Sequence, residues 1–328
     1  MAAIGIGLSP VLGSKAAAVV LAAPANLALS ITGAARDVIT ATWDAVSGAT
    51  TYEVEYSDDG VTYTPVDTTA LLTYGVTSAD YDVSAALQYV RVRAVGGVDW
   101  AVKSIYSHLL NTPVLWTMDE ASGDALDSIG TNALVDFNTV GATVGKLNGA
   151  RRFLSANSEY FEIDSNAAVG VGDEDFTFAF WLYRASGMGG GEVPFAKWDG
   201  VGAGPYVLLQ SSGAIRFQLH GGGGDIIQDS VATITFDAWN LVILKHNVTT
   251  NLTTIKINAL TAETKATGAS LDGITAQAFD IGRWGGGQYF NGDIDQFLIC
   301  KREWSAAQDT AYYNSGNGLS YAQLIAGV

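Results

Sequence analysis

Two tryptophans stand in glycine-rich stretches that are typical of loops, and each has a charged neighbour. The apolar face of a sugar ring stacks on an aromatic ring while its hydroxyls need hydrogen bonds, so such a pair is typical of carbohydrate recognition. The alternative is a lid over the fold or a contact with a neighbouring subunit. The predicted ligand-binding residues are Trp198, Asp199, Tyr206, Arg283, Trp284 and Tyr289.

Catalytic motifs are the next chemistry to look for, and no common one is recognisable. The sequence has no Gly-x-Ser-x-Gly, no phosphate-binding loop, no dinucleotide fingerprint and no zinc-ligand spacing. Its three histidines, His108, His220 and His246, have no nucleophile motif nearby, so we expect them to pack in strands or lie at the surface. The sequence therefore predicts a protein that is not an enzyme.

Glycoside hydrolysis is the enzymatic alternative, because it needs only two carboxylates about 5–10 Å apart. The nearest acidic spacing is Asp293-Ile294-Asp295, with no glutamate following it. Glu192 and Glu263 are isolated in predicted loops. A glycan-cleaving activity is therefore the least favoured of the functions considered.

The elements that must position these residues are predicted to be strands. Residues 176–181 alternate with a period of two and are rich in aromatic side chains, which favours a strand inside a sheet sandwich. Comparable runs occur at residues 206–210, 214–219, 241–246 and 253–257. A short helix is predicted only after Ser305, a plausible N-cap, and it stops near Gly316.

The order of several motifs resembles the laminin-G-like, concanavalin-type jelly roll over residues 113–328. The motifs are Leu-Trp-Thr-Met-Asp-Glu-Ala-Ser-Gly at 115–123, Phe-Thr-Phe-Ala-Phe-Trp at 176–181, Asp-Ala-Trp-Asn at 237–240 and Gly-Asp-Ile-Asp at 292–295. The resemblance implies an all-β, two-sheet domain followed by a short C-terminal helix. In that helix the family's usual acidic residue is Gln308 here, so the cap lacks a charged partner.

The same resemblance implies one structural calcium ion, since related jelly rolls often hold one at the edge of the sandwich. Asp127 and Asp295 match positions that frequently bind it, and Asp119 and Glu120 could assist. Calcium takes six to eight oxygen ligands, from carboxylates and backbone carbonyls. The alternative is that Asp127 and Asp295 cap turns by accepting backbone hydrogen bonds.

Residues 24–111 form a second predicted unit, with alternating runs at 38–44, 51–57 and 88–95 separated by turn signals. The order Trp43, Tyr-Glu-Val-Glu-Tyr-Ser at 52–57 and Tyr-Val-Arg-Val-Arg-Ala-Val at 89–95 resembles a fibronectin type III domain. The resemblance implies a β-sandwich with Trp43 in its core. Such modules mostly act as spacers.

The net charge of the chain excludes two classes of partner, and its single cysteine excludes an internal disulfide. The 328 residues include 17 basic and 33 acidic ones, a net charge of −16, so nucleic acids and anionic membranes would be repelled. Cys300 is the single cysteine, so no disulfide can form within the chain, and we expect a small core or strand-end residue. Stability must then come from packing, with a metal ion or neighbouring subunits as the further sources that we consider.

Residues 1–23 are small, apolar and almost uncharged. A secretory signal is one interpretation, but the only positive charge, Lys15, comes late, and Pro10 and Gly13 interrupt the start. The stretch is too short to span a bilayer. We therefore expect a docking arm that contacts another subunit.

An arm followed by two β-sandwich units resembles bacteriophage virion proteins. The first hypothesis is a non-enzymatic structural or decoration protein of a capsid or tail, located in the virion, with an outward jelly roll that binds host or environmental glycans. The second is a secreted, extracellular bacterial carbohydrate-binding or adhesion protein. Both hypotheses exclude nucleic-acid partners and membrane insertion, and both expect an oligomer or a larger assembly.

Overall fold

Nearly all of the regular secondary structure is β, as the alternating apolar patterns predict. The computed structural model describes residues 20–198, 204–221, 224–268, 270–272, 276–285 and 287–327. Most of the predicted arm, residues 1–19, lies outside these ranges. None of the helices within them is long and apolar enough to cross a membrane.

The N-terminal unit consists of two sheets packed face to face. Its strands are β1 (Ala28–Thr32), β2 (Val38–Thr42), β3 (Tyr52–Ser57), β4 (Thr64–Thr69), β5 (Thr73–Val76), β6 (Leu87–Ala94) and β7 (Ala101–Tyr106). One sheet has the order β1-β2-β5 and the other the order β4-β3-β6-β7. Trp43 is buried between them with Ile39, Val54 and Val90, as expected from the alternation.

The strands of the second unit run from Val114 to Cys300. They are β8 (Val114–Trp116), β9 (Val135–Phe137), β10 (Gly141–Val144), β11 (Gly149–Phe153), β12 (Tyr160–Ile163), β13 (Phe176–Tyr183), β14 (Glu192–Ala196), β15 (Tyr206–Leu209), β16 (Ala214–Gly221), β17 (Gly224–Thr233), β18 (Trp239–Asn247), β19 (Leu252–Ile257), β20 (Glu263–Ala266), β21 (Phe279–Ile281), β22 (Arg283–Trp284), β23 (Gln288–Tyr289) and β24 (Gly292–Cys300).

Two large antiparallel sheets make up this unit. The inner sheet has the order β10-β11-β24-β13-β18-β19-β20, with β8 also paired to β24. The outer sheet has the order β17-β16-β15-β14-β21-β12-β9. The predicted fold class is confirmed: the chain is nearly all β, with a concanavalin-like jelly roll and a short C-terminal helix.

The core between the two sheets is strongly aromatic. Phe178 and Phe180 of the inner sheet contact Phe195 of the outer sheet, with ring centroids 5.0 Å and 5.6 Å apart. Phe279 and Phe297 complete the cluster and are fully buried. Aromatic pairs at such spacings add to the free energy gained by burying their apolar surface.

The second face of the inner sheet is also apolar, and it is covered. Ala179, Trp181 and Leu298 on this face belong to one buried cluster with residues of the C-terminal helices, α1 (Ala306–Tyr313) and α2 (Tyr321–Ala326). The N-terminal unit contributes to the same cluster through Tyr106 and Leu109. The central strands of the inner sheet, β24, β13 and β18, are therefore buried on both faces.

A buried polar network joins the two units where α1 begins. Arg302 donates to the carbonyls of Leu110 and Ser107, at 3.2 Å and 2.5 Å. Gln308 donates to the Val83 carbonyl at 2.9 Å and to the Ser107 hydroxyl at 2.7 Å. Gln308 also completes a capping box with Ser305, so this amide caps the helix and links the two units at once.

Candidate functional site

The hairpin of β15 and β16 presents a row of polar and aromatic side chains on the outward face of the outer sheet. Val207, Leu209 and Phe217 point inward and are buried, since side chains alternate along a strand. Tyr206, Leu208, Arg216 and Gln218 therefore point outward, and all four are partly exposed. The register places Tyr206 opposite Gln218 and Leu208 opposite Arg216.

Two tryptophans from distant parts of the sequence close a pocket over this row. The centroid of the Trp198 ring lies 6.0 Å from that of Tyr206, and Trp284 meets Tyr206 at 6.1 Å in an edge-to-face arrangement. The cavity has a volume of about 210 Å³. Its lining consists of Trp198, Tyr206, Leu208, Arg216, Gln218 and Trp284, which are called the aromatic pocket below.

Trp284 is positioned by a short hairpin whose strands, β22 and β23, have two residues each. Trp284 pairs with Gln288 and Arg283 pairs with Tyr289. The Tyr206 hydroxyl donates to the Gln288 side-chain oxygen at 3.0 Å, which ties the hairpin to β15. Burial raises the pKa of Tyr206, so its hydroxyl stays a neutral donor at physiological pH.

The other residues of this hairpin hold a charged cluster on the same sheet face. Arg283 forms ion pairs with Asp280 at 2.8 Å and with Glu162 at 2.6 Å. Its guanidinium lies over the ring of Tyr160, 3.4 Å from the centroid. Tyr289 contacts the same ring at 6.4 Å. These side chains form a rigid support beside the aromatic pocket.

Electrostatics of the cluster are dominated by one arginine between two acids. Burial raises the pKa of Asp280 to about 6, although the ion pair with Arg283 acts in the opposite direction and the Glu162 carboxylate reinforces the rise. One guanidinium cannot fully neutralise two adjacent carboxylates. This part of the face is therefore negative at neutral pH.

The structure brings three of the predicted ligand-binding residues into one pocket: Trp198, Tyr206 and Trp284. Arg283 and Tyr289 are paired with each other in the β22–β23 hairpin, and both contact the ring of Tyr160 beside the pocket. Asp199 lies outside the described residues. Whether any of these residues binds a ligand stays a prediction.

Sequence reasoning missed Leu208, Arg216 and Gln218, which form the wall of the aromatic pocket. The signal was present in the alternation of residues 206–210 and 214–219, since every second residue of each run is apolar and must face the core. The intervening residues then face outward. What the alternation could not show is which two tryptophans would lie over them.

Asp127, one of the predicted calcium ligands, accepts hydrogen bonds from four N–H groups. Its Oδ1 accepts from the backbone of Leu115 and Ile129, at 3.2 Å and 3.1 Å. Its Oδ2 accepts from the backbone and side chain of Asn132, at 3.2 Å and 3.1 Å. These contacts agree with the turn-capping alternative and leave this carboxylate little capacity for a cation.

Asp119 and Asp295 lie together at the loop of residues 145–149. Asp119 accepts from the Gly149 backbone at 2.8 Å, and Asp295 Oδ2 accepts from the Leu147 backbone at 2.6 Å. Asp295 Oδ1 is buried without a hydrogen-bond partner, and burial raises the pKa of this residue to about 8, with the Asp119 charge adding to the rise. In the described part of the chain, no group of three or more His, Cys, Asp or Glu could hold a metal ion.

Three of the four carboxylates considered for glycoside hydrolysis, those other than Asp295, are engaged by structural partners. Asp293 binds Arg152 through both oxygens, at 2.8 Å and 2.9 Å. Glu192 pairs with Arg184 at 2.7 Å. Glu263 accepts from the backbone of residues 231 and 232, both at 2.7 Å.

Comparison with protein families finds a match for part of the chain. A laminin G family model, described as "Concanavalin A-like lectin/glucanases superfamily", matches residues 155–308. The match includes the inner and outer sheets from β12 to β24 and the start of α1. No curated protein sequence matches the chain.

Several solved structures are similar to part of this chain at low sequence identity. The binding domain of Paraclostridial Mosquitocidal Protein 1 is 16% identical with a TM-score of 0.52, covering 62% of this chain and 52% of its own. The botulinum neurotoxin serotype G binding domain is 12% identical with a TM-score of 0.49, covering 62% of this chain and 50% of its own. This chain thus spans about half the length of these two.

A third solved structure is domain 4 of AbnA, an extracellular arabinanase from Geobacillus stearothermophilus, in complex with arabinotriose. It is 13% identical with a TM-score of 0.46, covering 61% of this chain and 97% of its own.

Proposed function

On the premise that residues 155–308 form a concanavalin-like jelly roll, we propose that the protein binds carbohydrate in the aromatic pocket. The observation that carries the proposal is the convergence of Trp198, Tyr206 and Trp284 on one cavity, with Arg216 and Gln218 in its wall. Rings supply stacking surface, and the polar side chains supply hydrogen bonds to hydroxyls. The matched family includes lectins by its description, which supports the same assignment.

The size of the pocket favours one sugar ring of a longer chain. Pockets that enclose drug-sized ligands usually measure about 300–1,000 Å³. The aromatic pocket is smaller, at about 210 Å³, and the sheet face continues on both sides of it. A terminal or internal ring can enter while the rest of the glycan runs along the face.

We propose that the protein binds the carbohydrate without cleaving it. The carboxylates of Asp293, Glu192 and Glu263 are each engaged by structural donors. Asp280 and Glu162 are both paired with Arg283, which holds them against the sheet. Retaining and inverting glycosidases need one carboxyl group free to donate a proton to the leaving oxygen. Asp295 has an unpartnered oxygen, but it is completely buried, so it cannot reach a glycosidic oxygen.

The biological setting that we favour is a virion decoration or tail protein, with secretion as the alternative. The three-plus-four strand order of the N-terminal unit supports a fibronectin type III spacer over residues 24–111. Residues 1–23 would contact a neighbouring subunit. Mass spectrometry of purified virions that finds this chain with residues 1–23 intact would support the setting, whereas a secreted form cleaved near Ala25 would contradict it.

One structural Ca²⁺ is a further proposal, restricted to the Asp119–Asp295 pair. The unpartnered Oδ1 of Asp295 and the adjacent Asp119 carboxylate support it. Asp127 is left out because both of its oxygens already accept hydrogen bonds from N–H groups. A bound ion would favour ionised Asp295 and raise the melting temperature. Equal melting temperatures in excess chelator and in millimolar calcium would remove this proposal.

The binding proposal is tested with the full chain on a panel of immobilised oligosaccharides. Trp284→Ala and Trp198→Ala each remove a ring, and we expect each to weaken binding at least ~10-fold, or about 1.4 kcal/mol. Trp100→Ala is the matched control, because Trp100 stacks on Arg91 and Arg93 in the N-terminal unit, far from the pocket in sequence. The control should bind as the wild type does.

Two results would contradict the proposal. One is the absence of binding to every oligosaccharide in the panel by a folded wild-type protein. The other is binding that survives both pocket substitutions. Circular dichroism of each variant separates loss of the ring from loss of the fold.

A further inference from the structure

We infer that the aromatic pocket selects neutral sugars over sugars that carry a carboxylate, and that Asp229 sets this selectivity by occupying Arg216. The inference rests on the proposed carbohydrate binding and adds the chemical class of the ligand. It follows from how the charged side chains on the outward face of the outer sheet are paired.

Arg216 is the cation in the wall of the pocket, and its guanidinium is already engaged. Its Nε and Nη2 donate to the two carboxylate oxygens of Asp229, at 2.8 Å and 2.9 Å. This fork-to-carboxylate geometry is the one that an arginine would use to bind an acidic sugar. An acidic ligand would therefore have to compete with Asp229 for the same donors.

The sheet itself holds Asp229 in this position. Arg216 and Asp229 are direct partners in the register of β16 and β17. Gln210, the residue that follows β15, donates to Asp229 Oδ1 at 3.0 Å. Because backbone pairing places the two side chains next to each other, little entropy is lost in forming the pair.

The second arginine on the face is engaged as well. Arg283 pairs with both Asp280 and Glu162, so this cluster keeps an excess of negative charge. Further along the face, His220 pairs with Asp272, and Asp225 is exposed. Lys265 also reaches this region, where it donates to the Ile227 carbonyl of β17 near Asp229. The five acids Glu162, Asp225, Asp229, Asp272 and Asp280 still outnumber the three permanent cations Arg216, Arg283 and Lys265. An approaching carboxylate therefore meets a local field that is negative, within a chain whose net charge is −16.

Neutral hydroxyls suit the groups that remain. The Gln218 amide in the wall can both donate and accept a hydrogen bond, and so can a sugar hydroxyl. The paired Arg216 and Asp229 offer donor and acceptor atoms at their outer edges without a net charge. A neutral ring can thus bind without breaking an ion pair.

The test compares two probes that differ in one group. The first is a neutral oligosaccharide that the wild-type full chain binds on the panel, and the second is its uronic acid counterpart, in which a carboxylate replaces the C6 hydroxymethyl group of the bound ring. We expect the wild type to bind the neutral probe at least ~10-fold more tightly, since like charges brought together cost free energy. The preference should shrink at high salt.

The variant Asp229→Asn frees Arg216 and should reduce this preference by about tenfold or reverse it. Asp225→Asn is the matched control, because it changes the net charge equally on the same strand and leaves the Arg216 pair intact. The double variant R216Q/D229N should not show the increased affinity for the acidic probe that we expect of Asp229→Asn, because it lacks the arginine that would bind the carboxylate. As the Arg216–Asp229 pair is partly exposed, these changes should leave the fold stable.

Three outcomes would overturn the inference. The wild-type protein could prefer the acidic probe, or Asp225→Asn could increase affinity for the acidic probe as much as Asp229→Asn does. The third is an increased affinity for the acidic probe that persists in R216Q/D229N. Failure to bind any oligosaccharide would instead remove the proposed function itself. The two failures are therefore distinguishable in one experiment.

Discussion

The inner and outer sheets of the jelly roll share one core but differ in their second faces. On the inner sheet, β13 is buried on both sides, and Ala179 and Trp181 pack under the C-terminal helices and the N-terminal unit. On the outer sheet, β16 alternates between buried and partly exposed residues, and Arg216 and Gln218 face outward. An apolar face is used for assembly of the chain, whereas a mixed polar and aromatic face is left available for a ligand.

The difference also separates two roles for tryptophan. Trp181 and Trp304 are almost completely buried, and they hold the units together. Trp198 and Trp284 are only half-buried and line a cavity. The comparison therefore predicts that stability and binding respond to different tryptophans.

Trp304→Ala should produce the largest loss of stability. Its ring packs 4.7 Å from His108 of the N-terminal unit and 4.9 Å from Tyr312 of α1, so its removal opens a cavity at the centre of the interface. We expect a loss of about 3–5 kcal/mol in urea unfolding, as for other buried tryptophans. The matched change beside the outer sheet, Trp284→Ala in the β22–β23 hairpin, should cost much less, and equal losses would contradict the contrast between the two faces.

Gln308→Glu should have the next largest effect, by placing a carboxylate where two acceptors now receive the amide N–H. The Val83 carbonyl and the Ser107 hydroxyl would face an acid that cannot donate, partly offset by the charge of Arg302. We expect a loss of about 2–3 kcal/mol.

Gln323→Glu is the control for this substitution. Gln323 forms the same capping box with Ser320 at the start of α2, but its side chain is exposed. Its replacement should change stability by less than about 0.5 kcal/mol. Similar losses at both positions would mean that helix capping, and not the link between the units, is what Gln308 provides.

The smallest effect concerns the charged cluster on the outer sheet. Burial raises the pKa of Asp280 to about 6, so the folded protein keeps a proton that the unfolded chain releases near pH 4. The free energy of unfolding should therefore fall by about 1–2 kcal/mol as the pH rises from 4 to 6, and this contribution should level off above pH 6. Asp280→Asn should flatten that slope in urea titrations, and an unchanged slope would show that Asp280 titrates normally.

Local patterns in the sequence were sufficient for much of the fold. The alternation in residues 176–181 predicts a buried strand, and β13 spans Phe176–Tyr183. Ser305 is the predicted N-cap, and it accepts from the Gln308 backbone at the start of α1. These features depend on neighbours within a few residues, which is why they can be read without a structure.

The start of α2 has a local signal that sequence reasoning missed, because Ser320 and Gln323 have the spacing of a capping box and form one. Leu324 of this helix is buried in the cluster under the inner sheet. The helix has only a short apolar face, so its stability depends on packing against the rest of the chain. Tertiary contacts decide its conformation.

What the sequence by itself determined is the all-β class, the order of the jelly-roll strands and a set of candidate aromatics, of which Tyr206, Trp284 and Tyr289 lie in strands and not in loops. What only the tertiary structure decided is that Trp198, Tyr206 and Trp284 share one pocket with Arg216, whereas Asp127 is separate from the Asp119–Asp295 pair. The physical reason is the separation along the chain over which each interaction acts. Alternation and capping act between near neighbours, while convergence of side chains from distant strands depends on sheet order and register, which the whole core establishes together.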